Sequence, residues 1–139
     1  MKQFTSEKQK IGEIGENIAC RFLIKQGFKV LERNYTKKWG EIDIVTEKNR
    51  KIHFIEVKTV SRENLDTVIH ETLSGEYSSY RPEDNMHPWK LKRLGRTIQT
   101  YLLDKNIPDE KDWQLDLAVV FLNLKDKKAK VRILENIIL

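Results

Sequence analysis

The stretch Gly40–Lys58, GEIDIVTEKNRKIHFIEVK, decides the fold. Residues 41–45 alternate, with Ile42 and Ile44 on one face and Glu41, Asp43 and Val45 on the other. Residues 52–58 alternate again, with His53, Ile55 and Val57 on one face and Ile52, Phe54, Glu56 and Lys58 on the other. A period of two is the pattern of a strand, and the polar run from Thr46 to Lys51 reads as the turn between two of them. Burial then selects the register. Placing Ile42 and Ile44 with Ile55 and Val57 on one buried face gathers Asp43, Glu56 and Lys58 on the other, whereas a slip of one residue scatters both sets. Opposite and diagonal cross-strand neighbours lie about 5–8 Å apart, so a single divalent ion can bridge the two carboxylates.

The flanking segments complete an α/β domain. Residues 6–26 are expected to be helical, with Ser6 as N-cap, a stripe of Ile11, Ile14, Ile18, Ala19 and Phe22, and Gly27 as the stop. Gly12 and Gly15 fall close to that stripe, a cost to the helix unless it approaches the sheet closely. Glu16 lies on the shoulder of the stripe, where a carboxylate either reaches a neighbouring site or stays half-solvated. Phe28 to Tyr35 is the first strand of a three-strand meander and turns through Thr36 to Trp39. Trp39, at a strand edge, reads as packing before it reads as a base-stacking platform.

Pro88 suits the first turn of a second helix, running through Trp89, Leu91, Leu94, Ile98, Tyr101 and Leu102. Residues 113–123, WQLDLAVVFLN, are apolar enough for a central strand. A charged turn from Lys125 to Lys130 leads to a last, antiparallel strand over 131–139. The unit 52–58, 88–104, 114–122 predicts a right-handed parallel crossover. The expected fold is therefore a single α/β domain over residues 1–139, an αβββαβ core plus one strand, with a mixed sheet flanked by helices. Residues 63–73 suggest a short helix inside the 61–88 segment, which is otherwise without a clear period. A connection of that length is usually functional or mobile.

At 139 residues the chain can build its own core without staples. Apolar residues make up 39% and charged residues 34%, yet periodicity persists, which marks a folded chain and not a disordered one. No apolar run approaches the roughly 18 residues of a membrane span, and MKQFTSEKQK has no secretory apolar core. No membrane association is expected. A lone Cys20 excludes an intramolecular disulfide and a cysteine-based zinc site, in keeping with a cytoplasmic location. His70 and His87 have no ligand-like spacing.

A net charge of +5 and a pI of about 9.3 favour polyanions, nucleic acid first. Lys90, Lys92, Arg93 and Arg96 crowd the first half of the second helix against its macrodipole, which suggests phosphate contact, although a solvated face explains any one of them. Tyr80 and Arg81 offer stacking and charge to a nucleic-acid strand.

The acids have their own chemistry. Mg²⁺ keeps most of its waters and takes only one or two protein carboxylates. Asp43 and Glu56 suffice for Mg²⁺ or Mn²⁺, with the Val57 carbonyl close enough to contribute. An ion there can bind a scissile phosphate and acidify a water, while Lys58 orients that water or offsets developing charge. An isolated E-x-K carries no weight in so charged a chain. The set does: G-E-I-D on one strand, E-V-K on the next, and Glu16 on the preceding glycine-containing helix.

Gly12-Glu13-Ile14-Gly15-Glu16, Leu31-Glu32-Arg33-Asn34-Tyr35, Gly40-Glu41-Ile42-Asp43 and Phe54-Ile55-Glu56-Val57-Lys58 together resemble the YraN-like family of small bacterial proteins. Lys90 and Asp116 extend the likeness over most of the chain. The resemblance implies a restriction endonuclease-like fold. Its wider match is to PD-(D/E)XK nucleases, with archaeal Holliday junction resolvases as the nearest characterised relatives. It implies Asp43 and Glu56 as metal ligands, Lys58 as the catalytic lysine and Glu16 as an additional helix acid. DNA, including branched or recombination intermediates, would be the substrate. Junction-cutting enzymes of similar fold work as dimers, so a homodimer belongs to the expectation. The chain departs from the family in a longer 59–89 segment, and in Gln114 where an arginine is usual two positions before Asp116. The alternatives are a nucleic-acid-binding module that keeps the fold without cutting, or a protein-interaction subunit that docks through 61–88.

Overall fold

The computed structural model describes residues 6–61 and 86–139. Helix α1 (Glu7–Lys25) is followed by strands β1 (Lys29–Lys37), β2 (Gly40–Lys48) and β3 (Lys51–Ser61), helix α2 (Pro88–Asp104), and strands β4 (Trp113–Asn123) and β5 (Lys128–Leu134). The five strands form one sheet in the order β1-β2-β3-β4-β5. β3 and β4 run parallel across the α2 connection, and the other neighbours are antiparallel. This is the expected αβββαβ order with one added strand, a mixed α/β sheet flanked by helices and consistent with a restriction endonuclease-like core. Among the described residues no helix is long and apolar enough to cross a membrane.

Local chemistry sets the element ends. The Ser6 hydroxyl accepts from the Gln9 N–H at 3.1 Å, and Gly27, at φ +92°, takes the left-handed conformation that stops α1. Pro88 opens α2, where its missing N–H costs nothing. The β2–β3 turn is tighter than the polar run suggests. Only Asn49 and Arg50 lie between the strands, both at positive φ as a two-residue hairpin of matching twist requires. β1 reaches Lys37, so its turn narrows to Lys38 and Trp39, and β5 starts at Lys128 and ends at Leu134 instead of spanning 131–139.

Both faces of the sheet are buried. α1 brings Ala19, Cys20 and Leu23 onto Ile44, Ile55, Ala118 and Val120. α2 brings Leu94, Ile98 and Tyr101 onto Ile42, Val45, Phe54, Leu117 and Phe121. A strand covered on both sides must be apolar at nearly every position, and β4 is buried from Gln114 to Asn123.

Two readings of faces change. The buried stripe of α1 is Gly15, Ala19, Cys20 and Leu23, while Ile14 is 40% exposed. Ile42 and Ile44 do not share a face, since each belongs to a different core. The pairs Tyr35↔Ile42 and Arg33↔Ile44 flank Asn34, which sits at φ +53°. That left-handed residue twists the ribbon, turning Tyr35 and Ile42 towards α2 while Arg33 and Ile44 stay towards α1.

Candidate active site

The β2–β3 ladder starts at the hairpin and stops at Ile44↔Ile55. Beyond that point the strands part: β2 continues paired only with β1, and β3 only with β4. The parting leaves Asp43 and Glu56 as the next residues on facing strands, and it leaves a backbone N–H on β3 without a ladder partner. Asp43 takes it, its Oδ2 accepting from the Val57 N–H at 2.8 Å. The carbonyl of a strand residue points the same way as its N–H, so the Val57 carbonyl faces the gap too.

Helices close the gap from both sides by way of two glycines. A Cβ on Gly15 would collide with the Thr59 side chain, and one on Gly40 would lie 2.5 Å from Thr97 Oγ1. Only glycine lets α1 ride this low on β3 and α2 this low on β2. Gly12 meets nothing within 4 Å, so of the two α1 glycines only Gly15 serves the close approach. The result is a cleft of about 500 Å³. It is lined by Gly40, Glu41 and Asp43 from β2, Glu56, Val57, Lys58 and Thr59 from β3, Gly12 and Glu16 from α1, and Trp89, Lys90, Arg93 and Leu94 from α2.

Within the cleft the two acids press on one another. Glu56 is only 7% exposed. Burial pushes the Asp43 carboxyl up to about 9, helped by the adjacent Glu56 carboxylate and its hydrogen bond, and slightly by Glu16, with the Val57 N–H pulling the other way. Two carboxyls held this close are a state that a cation would relieve. Lys90 Nζ reaches Glu56 Oε2 at 2.8 Å and relieves part of it. Glu16 is held at the cleft edge by Arg33, at 3.9 Å, and by the Asn34 side-chain amide, which donates to its carboxylate at 3.0 Å. Lys58 is half-buried in the same lining. Among the described residues no group of three or more His, Cys, Asp or Glu side chains is arranged to hold a metal. An ion here would therefore rest on Asp43 and Glu56, the Val57 carbonyl and its own waters, a donor set that fits Mg²⁺.

Four of the basic residues singled out from the sequence are described, and they divide. Lys90 and Arg93 line the cleft, and the Arg93 Nε–H donates to the Trp39 carbonyl at 3.0 Å. Arg96 lies over the Trp39 ring, 4.3 Å from its centroid, while Lys92 is exposed and outside the cleft. Tyr80 and Arg81, the suggested 63–73 helix and His70 lie outside the described residues. Sequence reasoning missed Trp89 and Thr59 in the lining. Trp89 was assigned to the apolar stripe of α2, yet its indole is 60% exposed. Its place one residue after the helix-opening proline, at the edge of the stripe, is the signal that could have placed it.

Asp116 stands elsewhere. It is fully buried on the α1 side of the sheet, accepting from Gln114 Nε2 at 2.7 Å and the Asn136 N–H at 2.9 Å, with His53 Nδ1 at 2.8 Å. Gln114 thus contacts the buried acid through its side-chain amide.

A family profile described as "Uncharacterised protein family UPF0102" matches residues 15–120. A UPF0102 protein of Alkaliphilus oremlandii is 36% identical over 128 residues, covering 92% of this chain and 97% of that protein. One from Campylobacter jejuni is 36% identical over 109 residues, 78% of this chain and 81% of that protein. One from Campylobacter hominis is 34% identical over 131 residues, 94% and 96% respectively. The matched span runs from Gly15 through both strands of the cleft to Val120, and on that footing the chain belongs to the uncharacterised protein family UPF0102, the YraN-like group.

Proposed function

We propose that this protein is a Mg²⁺-dependent endonuclease that hydrolyses phosphodiester bonds in DNA. One observation carries the reading: two carboxyls, half-buried Asp43 and buried Glu56, share a cleft with Lys58, where burial, reinforced by the neighbouring Glu56, pushes the Asp43 carboxyl well above its ordinary range. A scaffold gains nothing from such a pair, and a surface built only to bind a polyanion is weakened by it. The acids suit a site whose working state contains a divalent cation.

Asp43, Glu56 and the Val57 carbonyl would hold that ion, Mg²⁺ or Mn²⁺. Bound there, it supplies positive charge to the scissile phosphate and acidity to a water. Lys58 acts from the same lining, orienting the attacking water and offsetting negative charge as the P–O bond breaks. Lys90 and Arg93 hold the flanking phosphates, and Arg96 and Lys92 extend the positive path along α2. Glu16 adds an acid at the α1 edge, positioned by Arg33.

The test is cleavage of labelled four-way junction, flap, single-strand and duplex DNA by the wild type, Asp43→Asn and Lys58→Ala, each with Mg²⁺, Mn²⁺ or EDTA. The expected result is metal-dependent cutting that both substitutions reduce by at least about 100-fold. DNA binding without cutting in any metal would replace this reading with a non-catalytic binding module.

A further inference from the structure

We infer that Trp89 is a stacking platform for an unpaired DNA base at the mouth of the cleft, so that the preferred substrate carries a single-stranded segment beside the scissile phosphate. The cutting half of this statement rests on the nuclease reading above; the binding half does not.

Trp89 follows Pro88 in the first turn of α2 and lines the same cleft as Asp43 and Glu56. Its indole is 60% exposed, a large apolar surface left in water. The rim around it is built. The His87 ring lies parallel to the indole, 7° from coplanar with centroids 6.5 Å apart, and the Arg93 guanidinium lies over the indole at a loose 5.6 Å from its centroid. Arg93 is itself anchored by its hydrogen bond to the Trp39 carbonyl. Trp39 is the more closely covered ring, with the Arg96 guanidinium 4.3 Å from its centroid against 5.6 Å for Arg93 over Trp89. Other exposed apolar side chains, such as Leu103 and Ile138, do not line the cleft.

An aromatic face bordered by cations is the combination by which proteins hold single strands, stacking for the base and charge for the phosphate. Within a duplex both faces of each base are covered by its neighbours, so the indole can meet only a base released from the stack. A plain phosphate-binding surface would need the cations alone, and an interior-type aromatic would not be left exposed among them.

The experiment measures binding in EDTA at fixed salt, where cleavage cannot interfere, by fluorescence anisotropy. The probes are a labelled duplex and the same duplex extended into a single-stranded arm. Wild type, Trp89→Ala and Trp89→Phe are compared, with 2-aminopurine in the arm as an independent reporter of stacking. The inference expects Trp89→Ala to weaken arm-bearing DNA about tenfold while leaving the duplex unchanged, Trp89→Phe to retain most of the affinity, and 2-aminopurine quenching to be lost with the indole. Equal losses on both probes, no loss on either, or quenching that persists in Trp89→Ala would overturn it. Selective binding with no cutting in Mg²⁺ would uphold the platform and remove the nuclease. Equal cutting of both probes, indifferent to Trp89→Ala, would uphold the nuclease and remove the platform.

Discussion

Lys90 places its ammonium 2.8 Å from Glu56 Oε2, at the carboxylate pair where a divalent ion would sit. In the metal-free protein this cation is the ion-pair partner of the buried Glu56 carboxylate. Because Lys90 is itself 41% exposed, solvent screens the contact, and its removal should cost about 1 kcal/mol rather than the several of a fully buried pair. Lys90→Met is therefore expected to lower the melting temperature in EDTA, and the deficit should shrink in saturating Mg²⁺, which supplies the missing charge. Thermal unfolding with and without Mg²⁺ checks this. A deficit of the same size in both conditions would mean that Lys90 acts through packing alone.

The raised Asp43 carboxyl predicts the opposite sign at the neighbouring position. Burial and Glu56 hold its proton up to about 9, well above the value the unfolded chain would have. Between those two values the folded state binds more protons than the unfolded state, so this group's contribution to stability falls as pH rises. Asp43→Asn removes that dependence. In EDTA the substitution should stabilise the protein, by at least about 1 kcal/mol at pH 8 and several degrees in melting temperature. The gap over wild type should widen from pH 5 to pH 9. Mg²⁺ should raise the wild type's melting temperature and leave that of Asp43→Asn unmoved. A substitution that destabilises at every pH would show that Asp43 is a structural acid.

Much of this site was legible because the chain writes strands as alternation and helix ends as Ser6, Gly27 and Pro88. The closeness of Asp43 and Glu56 followed from placing Ile42 and Ile44 on one face with Ile55 and Val57, of which the sheet keeps Ile44 opposite Ile55. The same argument misassigned Ile42, since a single left-handed residue, Asn34, reverses the face, and nothing in a neighbouring strand's pattern announces it. The exposure of Ile14 was equally hidden. A helix wheel gives the direction of a side chain and not where the sheet beneath it ends. Gly15 was readable as a close approach; that its partner is Thr59 required the fold.

That approach gives two glycines of α1 opposite expectations. Gly15→Ala drives a methyl group into the Thr59 side chain, β-branched and fixed in β3, and should cost about 1–3 kcal/mol. Gly12→Ala meets open space and should stabilise the helix by about 0.5–1 kcal/mol. Thr59→Gly should recover part of the Gly15→Ala loss. Chemical denaturation of the four variants measures all of this, and equal responses at positions 12 and 15 would contradict the packing.

Asp116 tests whether a buried acid outside the cleft lining matters only to folding. It is fully buried, and its partners His53, Gln114 and the Asn136 N–H tie β3, β4 and the segment after β5 together. Asp116→Ala removes a fully buried acceptor from Gln114 Nε2, the Asn136 N–H and the His53 ring, a loss of about 3–5 kcal/mol. Cleavage per folded molecule should stay at the wild-type level, because Asp43 and Glu56 keep their own contacts. The neutral amide at position 114 leaves His53 as the one described side chain beside Asp116 able to carry a counter-charge. Gln114→Arg, which puts a cation beside Asp116, should therefore make His53→Ala less costly by about 1 kcal/mol or more, read as the coupling in a double-mutant cycle. Strict additivity would show that His53 serves Asp116 by shape and not by charge.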